Sequence, residues 1–251
     1  MMRSSLSRYH RWGSWMRRLV NLIRRPKSPA RDFQFERIDW GGQPDEERRV
    51  SKLLNVLGYT KTTKTSQGGH WGKKYPSGYH TLNVGGVTLQ GQRNPQDRLD
   101  LIPIDFVNKS VLDIGSNQGG MLFAISEQVK WGVGVDYDGK MVNAANYINH
   151  TLAHGPLQFY AFDIDQDPHG LLRDFLPEER VDVVFLLSVC MHVNKWRELL
   201  KLCRDIADSI VFESNGSPQQ QADQLSFLGE LFGDISVLHE DSKRKLFLAR
   251  E

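Results

Sequence analysis

The sequence predicts an α/β domain built on a doubly wound, mostly parallel sheet of seven strands, and three observations carry that prediction. From Ile104 onward, short apolar runs alternate with amphipathic stretches of helical period. The first apolar run, 111–115, leads directly into a glycine-bearing turn and a helix opening near Gln118. The last two runs, 234–239 and 244–249, are joined only by Glu240-Asp-Ser-Lys243, too short for a helix, so they pair as an antiparallel hairpin. Five βα units closed by such a hairpin imply a sheet with helices on both faces.

Taken in order, residues 9–25 place Trp12, Trp15, Met16, Leu19 and Ile23 on one face of a helical wheel and Arg11, Arg17, Arg18, Arg24 and Arg25 opposite. This basic amphipathic helix with interfacial tryptophans has the composition of a segment lying on an anionic membrane. Docking on the protein itself, nucleic-acid phosphates and an Arg- and Ser-rich transit peptide are the competing readings. Pro26 and Pro29 end the helix. Residues 32–58 read as a linker and a helix from Glu46 to Leu57, and 59–78, rich in Thr, Gly, Lys and Ser, as a mobile loop. Runs 79–84 and 87–90 flank Gly85-Gly86 as a β-hairpin. A helix preceding the first core strand carries Arg98. The core strands are expected at 111–115, 131–136, 157–162, 181–187, 208–213, 234–239 and 244–249. Helices fall at about 118–129, 138–152, 169–175, 194–206 and 217–231. Three regions result: the basic segment 1–31, an extension 32–104 with helix and hairpin, and a core domain 105–251.

The chemistry is concentrated at the carboxyl ends of the first strands. Asp113-Ile-Gly-Ser-Asn-Gln-Gly119 puts glycines where ligand atoms must approach the backbone, ahead of a helix start with free N–H groups. Asp136, 23 positions after Asp113, ends the next strand and is placed to bind a ribose diol. The ligand is therefore a nucleoside-bearing cofactor. A dinucleotide fingerprint would need a glycine where Asn117 stands, and the G-K-[ST] of a P-loop is absent.

The pattern D-x-G-x-x-x-G with a later strand-end acid resembles the class I S-adenosylmethionine-dependent methyltransferases, over roughly residues 105–251. That resemblance implies a Rossmann-like sheet of seven strands, the last antiparallel, and S-adenosylmethionine as cofactor. It implies that Asp113, Gly115, Ser116, Asn117 and Gly119 cradle the methionine end and that Asp136 holds the ribose. Tyr137 would lie along the adenine, with Asp163 at its amino group and Ile164 covering the ring. Asp165 and Asp167 could share the role of Asp163. The loop Ser188-Val-Cys-Met-His-Val193 would face the transferred methyl, with His192 as the candidate base. Glu213-Ser-Asn-Gly216 ends the fifth strand at the mouth of the same cleft, where it could contact an acceptor or cap the next helix. A sulfonium methyl is already electrophilic, so transfer needs alignment and exclusion of water more than side-chain chemistry.

The region before the core is the place to select an acceptor. Trp71, Lys73, Lys74, Tyr75, Tyr79, His80, Gln92, Arg93 and Arg98 gather there, and Arg93 could reach the cofactor carboxylate, an anionic acceptor, or Asp97 or Asp100. The lead-in loosely resembles that of bacterial tRNA wobble-uridine modifying enzymes. The expected activity is methyl transfer to a membrane-proximal glycan, a lipid-linked precursor or a small molecule. An RNA-modifying methyltransferase and a non-catalytic cofactor-binding partner subunit are the alternatives.

Charge sharpens the division. Residues 1–31 carry nine Lys or Arg and no acid, whereas the whole chain is only +2, so the remainder is net −7. The two cysteines, Cys190 and Cys203, show neither metal-ligand spacing nor a disulfide framework. No apolar run is long enough to span a membrane. A cytoplasmic protein, peripheral at the inner membrane, is expected.

Overall fold

Strand composition dictates the sheet. Val111, Leu112 and Ile114, the run from Val133 to Val135, and the run from Val183 to Leu186 are apolar on both faces, as strands covered on both sides must be. The computed structural model describes residues 45–60, 77–84, 86–150, 155–241 and 244–251. The described residues belong to one unit, Gly42–Glu251, and residues 1–41 lie outside the described residues. The amphipathic segment 9–25 and residues Trp71 to Tyr75 lie outside the described residues.

In chain order the elements are α1 (Asp45–Thr60), β1 (Leu82–Val84), β2 (Val87–Leu89), α2 (Gln96–Leu99), β3 (Ser110–Ile114) and α3 (Gly120–Ala124). Then follow β4 (Trp131–Asp136), α4 (Gly139–Ile148), β5 (Leu157–Ala161), α5 (Leu171–Phe175) and β6 (Val181–Leu187). The rest are α6 (Trp196–Ile206), β7 (Ala207–Ser214), α7 (Pro218–Leu231), β8 (Asp234–Glu240) and β9 (Lys245–Arg250). The seven-stranded sheet runs β5-β4-β3-β6-β7-β9-β8. β3, β4, β5, β6 and β7 are parallel, while β9 is antiparallel to both β7 and β8. The expected doubly wound, seven-stranded fold is the observed one. Strand order reverses between β3 and β6, and crevices for ligands open at the carboxyl ends beside such a switch point.

Alternate residues supply two cores. Val111, Val183, Phe185 and Val211 face the layer of α1, the β1–β2 hairpin, α3 and α4. Leu112, Ile114, Val184, Leu186 and Phe212 face α5, α6 and α7. The hairpin and the described part of α1 thus share one core with the sheet, within the unit Gly42–Glu251.

Most core boundaries fall within two residues of expectation; α1 runs three residues past Leu57, β1 begins three residues after 79, α4 ends at Ile148 rather than 152, and one helix is far shorter. The helix expected over about 118–129 is only Gly120–Ala124. Ser126 donates its hydroxyl to the Phe123 carbonyl at 2.9 Å, and Ile125 N–H turns back to Leu122 at 3.2 Å. The side chain competes for a helical acceptor and the last turn tightens, so the helix stops. By contrast, α7 begins where Ser217 and Gln220 form a reciprocal capping box with Pro218 behind it.

Candidate functional site

The turn after β3 is built by backbone. Gly115 (φ 80°), Asn117 (φ 53°) and Gly119 (φ 79°) are all left-handed within five residues. Asn is among the few residues that tolerate this, so the position where a dinucleotide fold would place glycine turns without one. A Cβ on Gly115 would sit 2.6 Å from Val189 Cγ2, and one on Gly119 would sit 2.7 Å from the Phe159 ring. Ser116 N–H donates to the Val135 carbonyl at 3.0 Å, which pins the loop to β4.

Asp136, 8% exposed at the end of β4, closes the same loop. Its Oδ2 accepts from Asn117 N–H at 2.8 Å and its Oδ1 from Asp138 N–H at 2.9 Å. Burial raises its carboxyl above the ordinary range, and these two backbone bonds oppose the rise. Each oxygen keeps a second lone pair for a ligand hydroxyl.

Three further site residues lie close by with different exposures. Tyr137 is 69% exposed beside Asp136. Ile164 is buried after β5, and Asp163 is half-buried with its Oδ1 accepting from Asp165 N–H at 2.9 Å. The alternatives to Asp163 are spent elsewhere. Asp165 holds the backbone of Asn194 and Lys195 together with the Asn194 amide, and Asp167 Oδ2 accepts from Asp163 N–H.

Across the switch point the site is built by side chains. Ser188, just past β6, is left-handed (φ 59°). Its N–H donates to the Glu213 carbonyl at 3.1 Å, its hydroxyl donates to Glu213 Oε1, and its own carbonyl accepts from Asn215 Nδ2 at 2.9 Å. Glu213, 5% exposed, accepts both arms of Arg98 at 2.9 Å and Arg244 Nη1 at 3.3 Å. Arg98 also bonds the Tyr79 side chain. Arg93 crosses over the Tyr79 ring at 5.8 Å, and its main chain pairs with Tyr79 and Thr81. His192 is exposed on the loop after β6, its N–H on the Val189 carbonyl at 2.9 Å. Cys190 and Cys203 are buried free thiols, and desolvation pushes the Cys190 thiol up to about 12.

The segment 77–81 lies over the glycine loop. His80 fills the space that Gly120 leaves, its Nδ1 2.6 Å from where a Cβ would stand. Burial first, then Arg98 and Arg93, lower its pKa to about 3, so the imidazole is neutral. Gly91 is required because a Cβ there would meet the His80 backbone at 2.1 Å.

The distribution of unpartnered polar atoms tests whether these residues fit a cofactor. Asp113 Oδ2, Ser116 Oγ and Asn215 Oδ1 are buried with no hydrogen-bond partner. Buried polar groups are nearly always paired, and each exception costs about 1–3 kcal/mol. Three acceptors along the carboxyl edges of β3 and β7, beside a glycine loop and a strand-end acid, fit a ligand with hydroxyl and ammonium donors.

Residues 112–208 match the profile of a family described as methyltransferase domain. The N-terminal domain of EvdMO1 with SAH bound superposes with a TM-score of 0.58 at 14% identity, over 83% of this chain and 99% of that one. The same domain in the presence of SAH and D-fucose gives 0.57 at 15% identity, over 82% and 97%. A structure of WbdD with its C-terminal bundle ordered gives 0.51 at 15% identity, covering 80% of this chain and 41% of that longer one. No curated protein matches the sequence. Residues 112–208 carry a methyltransferase domain, on a seven-stranded fold shared with the SAH-bound EvdMO1 domain.

Sequence reasoning missed the Arg98–Glu213–Arg244 cluster. Its partners are 115 and 31 residues apart, and no local pattern links them. The available signals were a strand-end glutamate at 213 and an arginine, Arg98, in the helix before the first core strand.

Proposed function

We propose that the protein transfers a methyl group from S-adenosylmethionine to a hydroxyl of a saccharide-bearing acceptor near an anionic membrane surface. The observation that carries the cofactor half is the set of unpartnered buried acceptors beside a loop closed by Asp136. Asp113, Gly115, Ser116, Asn117 and Gly119 hold the methionine end. Asp136 takes the ribose hydroxyls, and Tyr137, Asp163 and Ile164 receive the adenine. The bound cofactor supplies an electrophilic sulfonium methyl, and the chain's work is to align the acceptor oxygen and exclude water. Ser188 sets the loop after β6 against that methyl. Arg93, over the Tyr79 ring, is an anchor for an anionic part of cofactor or acceptor. His192, exposed on the loop, removes the hydroxyl proton as transfer proceeds.

Support for a saccharide acceptor comes from the EvdMO1 domain, which was crystallised in the presence of D-fucose. Support for the membrane comes from the basic amphipathic segment 9–25. SAH release from a panel of free and lipid-linked saccharides tests the acceptor. On an accepted saccharide, His192→Ala lowers turnover about tenfold with SAH affinity unchanged; equal turnover removes His192 as base. Retention on RNA with a steep salt dependence would replace the membrane reading.

A further inference from the structure

We propose that binding of the cofactor's methionine end expels a proton from Asp113, and that Arg98, clamped by Glu213, is the positioning residue that governs how readily the proton leaves. The inference rests on the cofactor reading above and concerns the same site.

Asp113 stands one residue before the end of β3, 3% exposed, with Oδ2 unpartnered. The Asp136 carboxyl at the end of β4 acts on it with like charge, and the Arg98 guanidinium of α2 acts with opposite charge. His80, in the segment that covers the glycine loop, is held neutral and contributes no counter-charge. Glu213 on β7 engages Arg98 with both oxygens. Among the described residues, a carboxylate in this position has one partial counter-ion, already shared with Glu213. Burial first, then Asp136, push the Asp113 pKa up to about 7, and Arg98 opposes them. The carboxyl therefore holds its proton through much of the neutral range until a cation arrives.

The cofactor's α-ammonium is that cation. A neutral carboxyl and an ammonium become a carboxylate–ammonium pair, and the carboxyl proton goes to solvent. The ammonium's charge is matched by the carboxylate that the leaving proton uncovers, so the contact is a neutral pair rather than a lone buried cation. Arg98 touches neither partner of this exchange. Both of its donor arms are fixed on Glu213 and its side chain bonds Tyr79, so its charge is held at one place near Asp113.

Calorimetric titration of the full chain with SAH, from pH 6 to pH 8 in buffers of different ionisation heat, tests this. Near pH 6, about one proton is released per SAH bound, and release declines as pH rises past 7. SAH affinity climbs by up to about tenfold per pH unit below 7 and levels above it. 5′-Methylthioadenosine, which has the nucleoside and thioether without the ammonium, binds with a flat profile. Asp113→Asn flattens the SAH profile while 5′-methylthioadenosine affinity stays within about twofold, which also reports that the variant is folded. Arg98→Met moves the SAH midpoint to higher pH, and Arg98→Lys, which keeps the charge, restores it toward the wild-type value. Binding without proton release, or an Asp113→Asn profile as steep as wild type, overturns the proposal alone. An unmoved midpoint in a folded Arg98→Met removes Arg98 from it. Failure of the folded wild type to bind SAH at any pH overturns the cofactor reading itself.

Discussion

The two halves of the carboxyl edge are built by different means. On the β3–β4–β5 side, the glycine loop is held by main-chain bonds to Val135 and by Asp136, 19 residues from Asn117. On the β6–β7 side, Ser188, Glu213, Arg98 and Arg244 meet through side chains from four separate parts of the chain. A backbone cradle accepts one invariant shape, which suits a cofactor. A side-chain cluster can be rebuilt one residue at a time, which suits an acceptor that differs between enzymes of one fold.

The sharpest way to break this contrast is at Asp136. Asp136→Ala removes the proposed ribose partner and the anchor of the Asn117 amide together, so calorimetry should record a loss of SAH affinity of at least about 100-fold. Arg98→Met acts on the other half. It leaves the buried Glu213 carboxylate with Arg244 as its remaining counter-ion, and chemical denaturation should show a loss of about 2 kcal/mol. If the halves are separable, its SAH affinity at pH 8 stays within about threefold of wild type.

Asp113→Asn tests the cost of the ligand-free cradle. Burial and Asp136 push the Asp113 pKa up to about 7 in the folded state from the ordinary 3.8, so the folded state binds more protons between those values. This group's contribution to stability therefore falls as pH rises from about 4 to 7. The amide removes that penalty, so the ligand-free variant should be about 1–2 kcal/mol more stable than wild type at pH 8 and indistinguishable near pH 4. A thermal melt at the two pH values reads it. The smallest expected effect is deletion of residues 1–31, which should leave SAH affinity unchanged while abolishing flotation with anionic liposomes.

The same division decided what the sequence could reveal. The strand ends at Asp113 and Asp136, the left-handed turn and the closing hairpin are all local patterns, with period, spacing and turn residues contained in one window. They led to the seven-stranded, mostly parallel sheet and to the expected cofactor, while the strand order came only with the fold. The pairing of Arg98 with Glu213, the contact of Arg244 and the burial of His80 against Gly120 depend on strands brought together only by the finished fold. Even α3 was overestimated, because one serine hydroxyl, bonding back to Phe123, outweighed a helical apolar pattern.

Titration of the full chain with SAH, wild type beside Asp136→Ala, tests the central claim most directly. One site per chain is expected in the wild type, with its near loss in the variant. Absence of binding by the folded wild type, or equal affinity in the two proteins, would contradict it.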